Sequence, residues 1–132
     1  MTGRPAVAWA TASAAWMAVI FGLSSLPGSA IPVGRFGSLG HFVLYAALGG
    51  LYFLTLRPVM ATPRARVVAV VFASLYGLSD EFHQAFVPGR MPEPTDWLVD
   101  TAGAVVGVLV VHIALKRKRR SSGPDAACEG RA

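Results

Sequence analysis

Four apolar windows divide this chain, and prolines and glycines fill the gaps between them. The first runs from about Ala6 to Leu26 without a charge, and the second from about Leu39 to Leu56. The third begins near Val67, stays apolar to Leu78 and continues through Asp80, Glu81 and His83 to Phe86. The fourth covers about Trp97 to Leu115 and contains Asp100 and His112. A membrane-crossing helix needs about 20 mostly apolar residues. The first and fourth windows meet that length, and the third does so only if its polar end is counted. A chain of 132 residues that is 54% hydrophobic and 14% charged, with mean hydropathy +0.52, is too small to hide so much apolar surface from water. The expected fold is all-α: a polytopic bundle of four transmembrane helices over residues 1–115, then a basic and finally polar tail over 116–132 that is expected to be disordered.

The first window has Arg4 in front and Gly28-Ser29-Ala30 behind, as a cleaved signal peptide would. Its apolar core is longer than the roughly 7–15 residues of such signals, so it reads as a retained helix. The single cysteine, Cys128, excludes an intrachain disulfide and a paired-cysteine metal site. The run Lys116-Arg117-Lys118-Arg119-Arg120 directly follows the fourth window. Its juxtamembrane position favours an anchor to anionic headgroups over nucleic-acid binding, and no nucleic-acid partner is expected.

Basic residues set orientation. Arg4, Arg57, Arg64, Arg66 and the five residues 116–120 fall on one side, nine against Arg35 and Arg90 on the other. Both termini are therefore expected in the cytoplasm, in a multi-pass protein of the cytoplasmic membrane. The acidic segment after the third window then faces outward.

That segment holds every acidic residue before the tail: Asp80, Glu81, Glu93, Asp96 and Asp100. Charge at membrane depth is expensive, so carboxylates retained there point to a site. Helical spacing makes them converge. Asp80, His83 and Gln84 fall at i, i+3 and i+4, while Glu81 is turned about 100° away and need not join them. Asp96, Asp100, Gly103 and Gly107 form a stripe on the fourth helix. On the second, His41 and Tyr45 are followed on the same face by Gly49. Asp80 sits roughly 9 Å below the end of its span, and the other groups open theirs at the same leaflet. The acids must face inward, pair with Arg90 or a histidine, hold a metal, line a watery cleft or take up a proton.

Plainer roles compete residue by residue. His41 and an Asp80–Arg90 ion pair serve structure alone; Tyr45, Trp16 and Trp97 are interfacial aromatics; Asp96 or Thr95 caps the fourth helix. The glycines Gly103 and Gly107 pack the fourth helix within the bundle in preference to pairing two copies. His112 lies near the other end and reads as structural. The combination of Asp80, Glu81, His83, Arg90, Asp96 and Asp100 favours a functional site. No cofactor is expected outright. Asp80, Glu81, His83, His41 and Asp96 offer mixed oxygen and nitrogen ligands suited to zinc or manganese, at a spacing that matches no strong metal signature.

Asp80-Glu81-x-x-Gln84-x-Phe86-x-Pro88-x-Arg90, then Asp96 and Gly103, resembles the signature of VanZ-like membrane proteins. His41-Phe42-x-x-Tyr45-x-x-Leu48 is similar to that family's second-span motif, and Ser24-Ser25 also fits, so the resemblance covers roughly residues 16–115. Two positions depart from the pattern. Ser38 stands where the family often has lysine, and Asp100 where it usually has asparagine. The family takes its name from a member associated with reduced susceptibility to teicoplanin, which implies an effect at the cell envelope. The resemblance carries no settled mechanism.

Three functions remain in view. The foremost is a binding or accessory protein of the outer leaflet, engaging a membrane lipid, a lipid-linked envelope molecule, a glycopeptide or a membrane partner through His41, Tyr45, Asp80, Glu81, Gln84, Arg90, Asp96 and Asp100. The second is a hydrolase or transferase acting on a lipid-linked substrate, with Asp80, Glu81, His83 or His41 moving protons. No GxSxG or HExxH motif supports it. A transporter ranks last, because the acids cluster at one leaflet with no partners deeper in the spans.

Overall fold

In the computed structural model the described residues, 3–30 and 35–122, form four α-helices and one 3₁₀ turn, with no strand among them. The helices are α1 (Gly3–Ser24), α2 (Arg35–Leu56), α3 (Thr62–Gln84) and α4 (Pro94–Ser121), and the turn is Gly28–Ala30. Pro32 and Gly34 of the first connector, and the tail from residue 123 with Cys128, lie outside the described residues.

Three stretches are long and apolar enough to cross a membrane: Pro5–Ser24, Gly37–Leu56 and Pro94–Ser121. The third window, α3, has 23 residues but carries Arg64 and Arg66 near its start and Asp80 and Glu81 near its end. Its packing is nonetheless inside-out. Ala65, Ala69, Ala73 and Gly77, every fourth residue, are buried, while Val67, Val71, Phe72, Leu75, Leu78 and Phe82 face outward. Small residues inside and large apolar residues outside let helices approach closely and leave the bulky groups to an apolar solvent.

Neighbouring helices alternate in direction. On α1, Trp16 Nε1 donates to the Leu44 carbonyl at 2.9 Å, while Ser13 and Thr55 pair their hydroxyls at 3.2 Å, so α1 and α2 run antiparallel. Trp97 Nε1 donates to the Ser74 carbonyl at 3.1 Å, and Ser74 and Thr101 pair at 2.9 Å between α3 and α4. Trp16 and Trp97, expected as interfacial anchors, are therefore clamps between helices: each buried indole N–H must find an acceptor, and a neighbouring carbonyl is nearest. Tyr45, an interfacial aromatic on its plainer reading, is instead fully buried in the core with Ile20, Leu48, Ala73 and Ala104.

The α2 helix touches all three others, most extensively α4, to which it is parallel. Glycine makes that contact possible. A Cβ at Gly103 would run into the Phe42 carbonyl, one at Gly107 into that of Ala46, and one at Gly49 would lie 2.6 Å from that of Ala104. Gly103 and Gly107 thus pack α4 within the bundle, as their stripe predicts.

The α4 helix departs from expectation at both ends. It begins with Pro94 at its first turn and Glu93 as N-cap, with no side-chain cap bond, so neither Asp96 nor Thr95 caps it. It also continues past Leu115 through the whole basic run to Ser121, where disorder is expected from Lys116. Lysine and arginine are good helix formers, and cations suit the negative end of the helix dipole.

Candidate functional site

The C-termini of α1 and α3 and the N-termini of α2 and α4 meet at one end of the bundle, and the ionisable groups gather just inside it. His41 lies in the second turn of α2 and Asp100 in the second turn of α4. His41 Nδ1 and Asp100 Oδ1 are 3.0 Å apart, the only close contact between a basic and an acidic side chain among the described residues. A carboxylate can only accept, so Nδ1 carries the proton. Asp100 is completely buried because Gly77 of α3 leaves room for it: a Cβ there would stand 3.1 Å from Asp100 Oδ2 and 3.3 Å from Tyr45 Cε1.

The α3 helix contributes two carboxylates. Asp80 and Glu81 are 4% and 6% exposed, although adjacent residues differ by about 100° on a helix. Both are inward because α3 ends in the groove between α2 and α4, which covers a face wide enough for both. Glu81, which spacing left free to stand apart, joins the cluster: its Oε2 accepts the Glu93 backbone N–H at 2.9 Å, and ligand atoms of His41, Glu81 and Asp100 all lie within 4.8 Å of one another. Two of the carboxylate oxygens here, Glu81 Oε1 and Asp100 Oδ2, are buried without a hydrogen-bond partner, as is the Tyr45 hydroxyl.

The Asp80–Arg90 ion pair of the plainer reading is not formed. Gln84 stands between: its Nε2 donates to Asp80 Oδ2 at 3.3 Å, and its Oε1 accepts from Arg90 Nη1 at 3.4 Å. Arg90 also donates from Nε to the Leu26 carbonyl and from Nη2 to that of Leu23, both at 3.3 Å. The guanidinium thereby serves carbonyls at the end of α1, a position that the helix dipole favours. The loops are joined beside it. Gly28 N–H donates to the Pro88 carbonyl at 3.1 Å, and Gly89 has φ +73°, the left-handed region that glycine enters freely.

A cavity of about 270 Å³ lies among these groups. Its polar lining is Ser24, His41, Tyr45, Asp80 and Arg90, and its apolar lining includes Ile20, Leu23 and Leu44. His83 takes no part in it. Being one position short of Gln84 on the helix, it turns toward α1, where Nε2 meets Ser25 Oγ at 3.0 Å and the ring stacks on Phe21 at 4.5 Å between centroids. Asp96 is half-buried at the rim and accepts from Ser38 Oγ at 3.3 Å. His112 lies edge-on to Phe53, 6.0 Å between centroids, and lines a different cavity with Arg57, Lys116 and Arg119. The residue that spacing did not single out is Gly77. The signal was present in the four-residue repeat of small side chains that it closes.

The VanZ/LLP1 family model matches residues 6–115. The chain belongs to the VanZ/LLP1 family. The match takes in the whole His41–Asp100 cluster and bears out the likeness read from residues 80–103. It stops where the basic end of α4 begins. Both departures from the VanZ pattern fall within the site: Ser38, in place of a frequent lysine, faces Asp96, and Asp100, in place of asparagine, faces His41. None of the curated proteins and none of the solved structures matched the chain.

Proposed function

We propose that this protein spans the membrane of the cell envelope four times, with both termini in the cytoplasm, and binds the polar head of a lipid-linked envelope molecule at the outer end of the bundle. The inside-out packing of α3 supports its being the fourth span. The excess of basic residues at the opposite end supports the orientation.

The observation that carries the binding reading is the two-sided lining of the 270 Å³ cavity. Arg90, His41, Tyr45 and Asp80 offer donors and acceptors on one side, while Ile20, Leu23 and Leu44 offer apolar surface on the other. That combination suits an amphiphile whose head enters from the interface. Arg90 has more N–H donors than its three bonds use, so it can take an anionic group such as a phosphate. The volume lies just below the roughly 300–1,000 Å³ of ordinary ligand pockets. It admits a headgroup; a glycopeptide would engage only the rim.

Binding of a fluorescent polyprenyl phosphate to the purified protein in nanodiscs tests this reading. Arg90→Ala is expected to weaken binding at least tenfold. Equal affinity in the two proteins would remove Arg90 and the cavity from the proposal, and binding of a glycopeptide in place of the lipid would redirect it.

One observation favours a second reading, a membrane-embedded hydrolase or transferase. Asp100 orients His41 as a carboxylate orients a catalytic base, and Ser24 supplies a buried hydroxyl to the same cavity. Turnover of a lipid-linked phosphoester that disappears in His41→Ala, with lipid binding retained, would move the protein to that class.

A further inference from the structure

The binding reading leaves two carboxylates unexplained. Glu81 Oε1 and Asp100 Oδ2 are buried and unpartnered, on residues only 6% and 0% exposed. Buried carboxylates are normally matched by cations or several donors, because desolvated charge is costly. No lysine or arginine pairs with either among the described residues, and the bonds of the nearby Arg90 go to two carbonyls and Gln84, not to these carboxylates. Among the described residues His41 is the only basic group in contact, and it reaches one oxygen of Asp100 alone.

We propose that His41, Glu81 and Asp100 together hold a divalent cation. Three separate elements deliver the donors: α2 supplies the imidazole, α3 one carboxylate and α4 the other. Their ligand atoms already lie within 4.8 Å of one another. Two atoms bound to one zinc at ordinary lengths stand about 3–3.5 Å apart. His41 Nδ1 and Asp100 Oδ1, at 3.0 Å, are at that separation before any ion arrives. Glu81 has the longest carboxylate side chain of the group and one oxygen unengaged, so it has the reach to close the remainder. Its other oxygen is fixed by the Glu93 N–H, the kind of outer hydrogen bond that orients a ligating carboxylate. When the ion binds, the imidazole proton moves from Nδ1 to Nε2, and Nδ1 becomes a ligand without change in the ring's charge.

One nitrogen and two carboxylates suit zinc or manganese over calcium or magnesium, which prefer oxygen alone. Three protein ligands leave at least one coordination position for water or a bound group. Because His41 also lines the 270 Å³ cavity, the ion would stand beside whatever occupies it. This inference needs no headgroup ligand and stands or falls separately from the binding reading.

The test uses the full chain, purified in nanodiscs, stripped with a chelator and dialysed against micromolar Zn²⁺ or Mn²⁺. Elemental analysis is expected to give one ion per chain and the loaded protein a higher unfolding temperature than the stripped one. Glu81→Gln and Asp100→Asn, which keep side-chain shape, are expected to weaken binding at least tenfold. His112→Ala, at the other end of the bundle, is expected to bind as the parent does. Less than a tenth of an equivalent on the parent protein would overturn the site whatever the variants do. So would equal loading of the parent and both carboxamide variants, the mark of adventitious metal.

Discussion

His41 of α2 and Asp100 of α4 meet at 3.0 Å with the carboxylate wholly buried, so one hydrogen-bonded pair joins two parallel helices near their N-termini. Removing one partner of a buried pair strands the other, at a cost of about 3–5 kcal/mol. His41→Ala is therefore expected to lower the unfolding temperature in detergent sharply. Asp100→Asn, which still accepts from Nδ1, is expected to lower it far less. Similar losses in both would mean that the charge matters and the hydrogen bond does not.

The glycines of α4 allow an equally direct test. A side chain at Gly107 must displace the Ala46 carbonyl, and backbone cannot turn aside as a rotamer can. Overpacking costs about 1–3 kcal/mol and more where backbone must move. Gly107→Ala should thus destabilise the protein markedly, whereas Gly22→Ala, which meets nothing within 4 Å, should leave stability unchanged or improved. Thermal unfolding of the two side by side decides the matter; equal midpoints would refute the close α2–α4 contact.

Tyr45 separates stability from function. Its hydroxyl is buried and unpartnered, an arrangement that costs about 1–3 kcal/mol. Tyr45→Phe is expected to raise stability by roughly 1 kcal/mol while weakening binding of a polyprenyl phosphate. A variant that loses stability and keeps affinity would show that the hydroxyl has a structural partner and no ligand.

Orientation can be read by thiol labelling in a Cys128→Ser background, since Cys128 is the only cysteine. Met91, 82% exposed in the α3–α4 loop, should as Met91→Cys react with an impermeant maleimide on intact cells. Lys118→Cys should react only after permeabilisation. The opposite pattern would place the acidic end inside the cell.

Much of this arrangement is legible in the sequence because helical periodicity and membrane depth are strict rules. Asp80, His41 and Asp100 could be brought to one height from spacing alone. Spacing sets His83 on the face of Asp80 and Gln84 and does not decide Glu81, because it gives the angle between residues but not the width of the face a neighbour covers. The groove between α2 and α4 is wide enough to enclose Glu81, and His83 falls to α1 on its other side. Opposite charge suggested an Asp80–Arg90 pair; the amide of Gln84 intervenes because the α1 carbonyls draw the guanidinium toward themselves. The indoles of Trp16 and Trp97 have the composition of interface anchors, and only packing reveals that they reach across to Leu44 and Ser74.

Gly28 and Gly89 bring the two connecting loops together main chain to main chain. No rotamer stands in that seam, so it cannot be widened by swinging a side chain. The spacing of the two loops at that point is set by peptide geometry, so moving them apart would take a change in loop length or path and not a change of side chain.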